Sequence, residues 1–275
     1  MSPVALPRVL CAVLGLLLAG SGAQAQTPVF AAARERGELR IGIPYLAAEP
    51  AAGAKIRTPE RLDTAIAERL AQQLGLPLRL SQVPQVGAAA ALQAGQVDLV
   101  LSEQALTADE AAAATLAALD TGYRTRPKAV IRNDTAIRVP ADAAGRSICL
   151  AGAATAAQAL AAQWGAQVRT YAVPSDALVA VREGRCDLGL IDDAVWQPLM
   201  RFPEWRAFSA TLAPAGPQFE HRWLVPATAT VEQAWLRQTM RSWQQDGVWQ
   251  ALTAKWARDV AFDVYLDQEV PDCHG

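Results

Sequence analysis

Apolar positions along this chain fall into short runs separated by amphipathic stretches, and the alternation is regular. Leu39-Arg40-Ile41-Gly42-Ile43 reads as a buried strand after a turn at Gly37. Apolar residues at 62, 66, 70 and 74 give a helical stripe over Asp63 to Gly75, with Gly75 as its stop. Leu78-Arg79-Leu80 predicts the next strand, Ala88 to Ala94 a helix stopped by Gly95, and Val97 to Leu101 a further strand. Then the pattern restarts. Ser147 to Leu150 and Val168 to Tyr171 read as strands on either side of a helix from Ala156 to Trp164. Ser175 is placed as the N-cap of a helix reaching Glu183 and stopped by Gly184, and Cys186 to Ile191 closes the series as a strand. From Trp223 onward a strand, a helix around Val231 to Trp243 and another near Trp249 to Trp256 are expected.

Strand, helix, strand, helix, strand implies an α/β fold with a doubly wound, mostly parallel sheet, and here the unit occurs twice. The repeat is visible residue by residue: Ala91-Leu92-Gln93-Ala94-Gly95-Gln96-Val97-Asp98-Leu99-Val100 parallels Ala180-Val181-Arg182-Glu183-Gly184-Arg185-Cys186-Asp187-Leu188-Gly189. Two lobes of this kind face each other across one cleft. Ligands of open α/β sheets sit beyond the carboxyl ends of the strands. That rule brings Ser102-Glu103 from one lobe opposite Asp192-Asp193 from the other.

The N-terminal segment reads as an address. Arg8 precedes an apolar run from Val9 to Ala19, too short for a bilayer core of about 30 Å, and Ala23-Gln24-Ala25 is an A-x-A cleavage signal. Cleavage after Ala25 and export to the periplasm are expected, with residues 1–25 as the signal peptide. Composition adds exclusions. With 52% hydrophobic and 19% charged residues in 275, the chain is no disordered segment. A net charge of -2 offers no basic field, so nucleic acid is not an expected partner. The basic residues are 22 Arg and 3 Lys, so an Arg here is a weak functional marker.

Export makes the remaining cysteines informative. Cys149, Cys186 and Cys273 allow one disulfide, and Cys149 and Cys186 both open apolar runs that read as strands. If those strands are neighbours the two can bridge, and Cys149–Cys186 is the favoured pair; all three reduced is the alternative. With two His and no CxxC, no metal site and no cofactor are expected.

Several stretches together resemble the bacterial extracellular solute-binding proteins of the amino-acid type, family 3. They are Gly37 to Ile43, Leu62-Asp63 with its helix to Leu74-Gly75, Leu92 to Val100, Glu183 to Leu188 with Ile191-Asp192-Asp193, Gln245-Asp246-Gly247-Val248-Trp249, and Lys255-Trp256. The resemblance implies two lobes joined by two crossing strands, placed near Arg126–Val130 and Glu220–Val225. Residues 26–127 with 224–275 would form lobe 1, and 128–223 lobe 2. It implies a monomer that carries a small polar solute to the membrane permease of an ABC transporter.

For the site, the resemblance makes Tyr45 the aromatic residue that stacks on the ligand, Ser102 and Glu103 polar contacts, and Asp192 the receiver of an ammonium. Thr155, in Gly152-Ala153-Ala154-Thr155, approximates a Gly-Thr-Thr turn. In the family's Thr-x-x-Arg element an Arg grips the ligand carboxylate; here Thr107 is followed by Glu110 in the Arg position. Glu103, Glu110 and Asp192, with Asp193 nearby, would then suit an amine-bearing solute without a free carboxylate. Alternatively Thr107-Ala108-Asp109-Glu110 is a capping box whose acids face solvent. Arg57, Arg61, Arg124 or Arg126 are the candidates for a replacement grip.

Two other readings stay open. Proteins of similar fold accompany periplasmic quinoprotein dehydrogenases, which would make a periplasmic redox protein the partner. Some periplasmic dehydratases also resemble the family, and a pair such as Glu103 and Asp192 could do acid–base work. A binding protein and not an enzyme is expected, because no nucleophile–base pair is recognisable and His221 and His274 lack helpful spacing.

Overall fold

The computed structural model describes residues 28–46, 62–103, 115–208, 210, 212–216 and 218–266. The expected signal peptide over 1–25, Arg57, Arg61, Thr107, Glu110, Cys273 and His274 lie outside them, and so do the roles expected of them. Among the described residues no helix is long and apolar enough to cross a membrane.

Two sheets organise the chain. The larger contains β1 (Leu39–Ile43), β2 (Leu78–Gln82), β3 (Leu99–Ser102), β4 (Leu116–Thr125) and β9 (Phe219–Pro226), in the order β2-β1-β3-β9-β4. The smaller contains β5 (Pro127–Ile131), β6 (Ser147–Ala151), β7 (Gln167–Tyr171) and β8 (Leu188–Asp192), in the order β5-β8-β6-β7. The α/β units supply the parallel pairs, β1 with β2 and β3, and β6 with β7 and β8. Strands adjoining the passages between the sheets add antiparallel pairs, β9 with β3 and β4, and β5 with β8. Only Arg126 separates β4 from β5. On the return, Ala210 still bridges to Ile131 of the smaller sheet, and the chain joins the larger sheet at Phe219. Strand β9, divided at 223/224 in the sequence-based lobes, lies wholly in the larger sheet because it is paired along both edges.

Helices α1 (Val29–Arg36), α2 (Asp63–Leu74) and α3 (Ala88–Gln93) belong to the larger lobe, and α7 (Thr230–Gln245) lies on β4. On the smaller lobe α4 (Thr155–Gln163) covers one face, while α5 (Pro174–Arg182) and α6 (Asp193–Leu199) pack on other elements of the same sheet. The last helix, α8 (Val248–Leu266), packs against α6 and α5. One apolar core runs from Ile41, Leu99 and Trp223 through Trp243, Trp249 and Trp256 to Leu178, Val195 and Leu199. A second fills the α4 side of the smaller sheet around Ile148, Leu160 and Leu188. Trp243, Trp249 and Trp256 are thus core residues, and Trp235 is half-buried with its ring 5.2 Å from Phe30.

The repeated Gly-x-x-Asp step does the same work in each lobe. Asp98 accepts the amide of Arg40 at 2.8 Å while its own amide donates to the Arg40 carbonyl at 2.8 Å. Asp187 accepts the amide of Ser147 at 2.8 Å and donates to the Ser147 carbonyl at 3.0 Å. A carboxylate at the start of the third strand therefore clamps the start of the first, and the two register together. The left-handed Gly95 and Gly184, at φ 63° and 74°, end the preceding helices as expected.

Two details differ from the sequence reading. Ser175 is not the N-cap of α5: Val173 is, Pro174 takes the first helical position that its fixed φ suits, and Ser175 is buried inside the helix. Helix α1 was unread because it buries only Phe30 and Ala33, too little for a periodic signal. The cysteine expectation holds: Cys149 and Cys186 form a disulfide, with Cα atoms 5.7 Å apart.

Candidate functional site

A cleft lies between the two sheets, beyond the carboxyl ends of β3, β6 and β8. Strands β3 and β8 each bring a polar residue to it, and β6 does so through the turn that leads into α4. Glu103 follows β3 and Asp192 ends β8, and both line the cleft, one from each lobe. Thr155 lines it too, at the first position of α4. Asp192 is also the N-cap residue of α6, yet its side chain makes no capping hydrogen bond. Its neighbour Asp193 faces elsewhere, accepting from the Thr125 hydroxyl and the Arg126 amide, both at 3.0 Å. Of the two adjacent acids, one serves the cleft and the other the passage between the lobes.

Tyr45 sits after β1, and its hydroxyl donates to the carbonyl of Ala172 at 3.5 Å, reaching from the larger lobe to the loop before α5. Ser102 is buried at the end of β3, in register opposite Arg222. Arg124 is engaged by Asp120 at 3.0 Å and Glu220 at 2.9 Å, and Arg126 by Gln218 at 3.2 Å. Neither is among the described residues that line the cleft, and none of those carries a basic group.

His221 had no helpful sequence spacing, and the fold gives it two acidic neighbours. It lies in β9, 2% exposed, with Nε2 2.8 Å from Asp63 Oδ1 and 3.4 Å from Glu103 Oε1. A ring nitrogen facing two carboxylates must carry its hydrogen, so Nε2–H donates towards Asp63. Asp63, also buried, is the first residue of α2, where the helix dipole favours an acid. Of the three residues only Glu103 lines the cleft; Asp63 and His221 are buried behind it, with Leu62, the residue before Asp63, in the cleft wall. The three donor atoms lie within 4.8 Å of one another, a donor set of the kind that holds a divalent cation. The hydrogen bond already accounts for the approach. The residue next to His221 in this packing is Tyr123, whose ring lies 5.1 Å away. Burial, with Asp192, Asp193 and Asp63 adding to it, raises the Tyr123 pKa well above the ordinary tyrosine value and keeps the phenol neutral.

Solved structures with this architecture include a mutant of the ArgBP of T. maritima, with TM-score 0.54 and 18% identity over 83% of this chain and 98% of that one. An ancestral cationic amino acid solute-binding protein gives 0.57 and 19%, covering 82% of this chain and 98% of its own. An ancestral amino-acid-binding protein described as a precursor of cyclohexadienyl dehydratase gives 0.55 and 19%, covering 84% and 99%. At these identities the likeness establishes the two-lobed fold. No curated protein matches the chain. The sequence profile of one family matches residues 57–259, most of the chain and every strand but β1. On that match the chain belongs to the bacterial extracellular solute-binding proteins, family 3.

Proposed function

We propose that the protein is a periplasmic receptor that captures a small amine-bearing cation between its lobes and delivers it to an ABC transporter. The observation that supports this is the pairing of Glu103 from the larger lobe with Asp192 from the smaller across one cleft, with no basic group among the described lining residues. A cation held by both acids is bound more tightly when the lobes are together than apart, and this difference shifts the population to the closed state. Thr155 at the start of α4 lines the same cleft and adds a hydroxyl to it, while Tyr45, bonded across to Ala172, is proposed to meet the solute from the larger lobe. Two of the structural relatives carry names of arginine or cationic amino-acid binding; at 18–19% identity these names fit the chemistry without carrying it. The chain is proposed to act by binding, without turnover.

A thermal-shift screen of the mature protein against polyamines, cationic amino acids and organic acids tests the reading. A cationic solute at 100 times its dissociation constant should add about 2.7 kcal/mol of stability, seen as a raised midpoint. Glu103→Gln and Asp192→Asn should each remove that shift, read against each variant's own unliganded midpoint. Stabilisation by organic acids alone, or an unchanged cation response in Asp192→Asn, would overturn the assignment. Consumption of the bound solute would overturn the non-enzymatic part.

A further inference from the structure

Helix α8 is anchored in both lobes. Near its start Trp249 packs 5.4 Å from the ring of Trp243 in α7 and 5.6 Å from that of Tyr123 in β4, both elements of the larger lobe. Trp256, midway, lines the cleft. The final turns bury Val260, Ala261 and Val264, and the helix packs along α6 and α5 of the smaller lobe. At the far end Arg182 of α5 donates from Nη1 to the Val264 carbonyl at 2.6 Å, a cation on one of the last carbonyls of the helix. The family match ends at residue 259, so the hydrogen bond from Arg182 to Val264 lies beyond it.

A helix of 19 residues is a rod about 28 Å long and does not stretch. Lobes joined only by extended strands can swing by small dihedral changes, but a rod buried at both ends resists the same motion. To part the lobes, one end must detach. The cleft is correspondingly narrow, a cavity of about 60 Å³.

We propose that α8 is a strap that keeps the lobes together without solute, so that opening requires its last two turns to leave α5 and α6. The inference concerns the resting arrangement and stands whichever solute the cleft takes. The weaker end is the smaller-lobe end, because its final residues Phe262, Tyr265 and Leu266 are already more than half exposed.

The test uses the full mature chain with no solute added. Arg182→Gln combined with Val264→Ser removes the terminal grip, and Val260→Asp places a carboxylate in the buried interface. Hydrogen exchange of residues 257–266 reports detachment, and small-angle scattering reports the distance between lobes. The expected result is about tenfold faster exchange over those residues together with a larger radius of gyration than wild type. If the helix end exchanges faster while the scattering profile stays that of wild type, α8 is no strap. An unaltered chain that already scatters as an open, two-lobed particle would overturn the proposal equally.

Discussion

Asp187 shows how one side chain sets a local pH dependence. Burial works to raise its pKa, but the hydroxyl and amide of Ser147 and the guanidinium of Arg146 outweigh this, and the net displacement is downward. A carboxyl with a folded pKa below its unfolded value contributes fully above the ordinary carboxylate range near ~4, and the contribution is lost as pH falls through the folded value. Ser147→Ala should therefore lose stability most at neutral pH, with the deficit shrinking towards pH 3, as urea midpoints at the two pH values would show. A steric case is Gly42 in β1. A Cβ there would sit 2.8 Å from Val83 Cγ2 and 3.1 Å from Val100 Cγ2, so Gly42→Ala should cost about 1–3 kcal/mol in denaturant unfolding. Val83→Ala in the same chain should recover part of that loss, since the two sites share one space. At this scale the Asp98 and Asp187 repeat was legible, because a local motif recurs with the same spacing. The pairing of His221 with Asp63, 158 residues away, was not, because only the folded sheet brings those positions together.

Among elements, the strands and helices of the α/β units were readable because each buries one continuous run or stripe, as Leu62, Ile66 and Leu70 do around α2. The starts of β6 and β8 lie side by side in parallel, with Cys149 in register with Gly189, which puts Cys186 within bridging distance. The bridge closes a loop of 37 residues, for which the chain-entropy argument gives about 4 kcal/mol. Cys149→Ser with Cys186→Ser should lower stability by that order, and reducing the wild type should bring its denaturant midpoint to that of the double variant. Helix α8 was read only as far as Trp256. Its continuation, Ala257 to Leu266, places apolar residues on more than one face, burying Val260 and Val264 while exposing Phe262 and Tyr265, so no single stripe marks it. The antiparallel strand β4 was equally unread, since its partner β9 begins some 94 residues after its last residue.

At the level of the whole molecule, what matters is how the lobes are held, and the carboxylate of Asp193 acts where they meet. Its Oδ1 accepts from the Thr125 hydroxyl at the end of β4 and from the amide of Arg126, the single residue between the sheets, while its own amide donates to the Arg126 carbonyl at 2.9 Å. The side chain thus ties the start of α6 to the passage itself. One of these hydrogen bonds is part-buried and the other exposed, so water replaces much of what Asp193 supplies, and the loss falls on the joint and not on either core. Asp193→Ala should therefore lower the unfolding midpoint only modestly and change the distribution of lobe separations strongly. Asp193→Asn, which keeps an oxygen acceptor at the same place, should restore most of the wild-type behaviour. Scattering profiles with and without a stabilising cation would separate the two effects. If Asp193→Ala binds with unaltered affinity and scatters as wild type, the tie has no part in setting the cleft, and the strands with α8 alone hold the lobes.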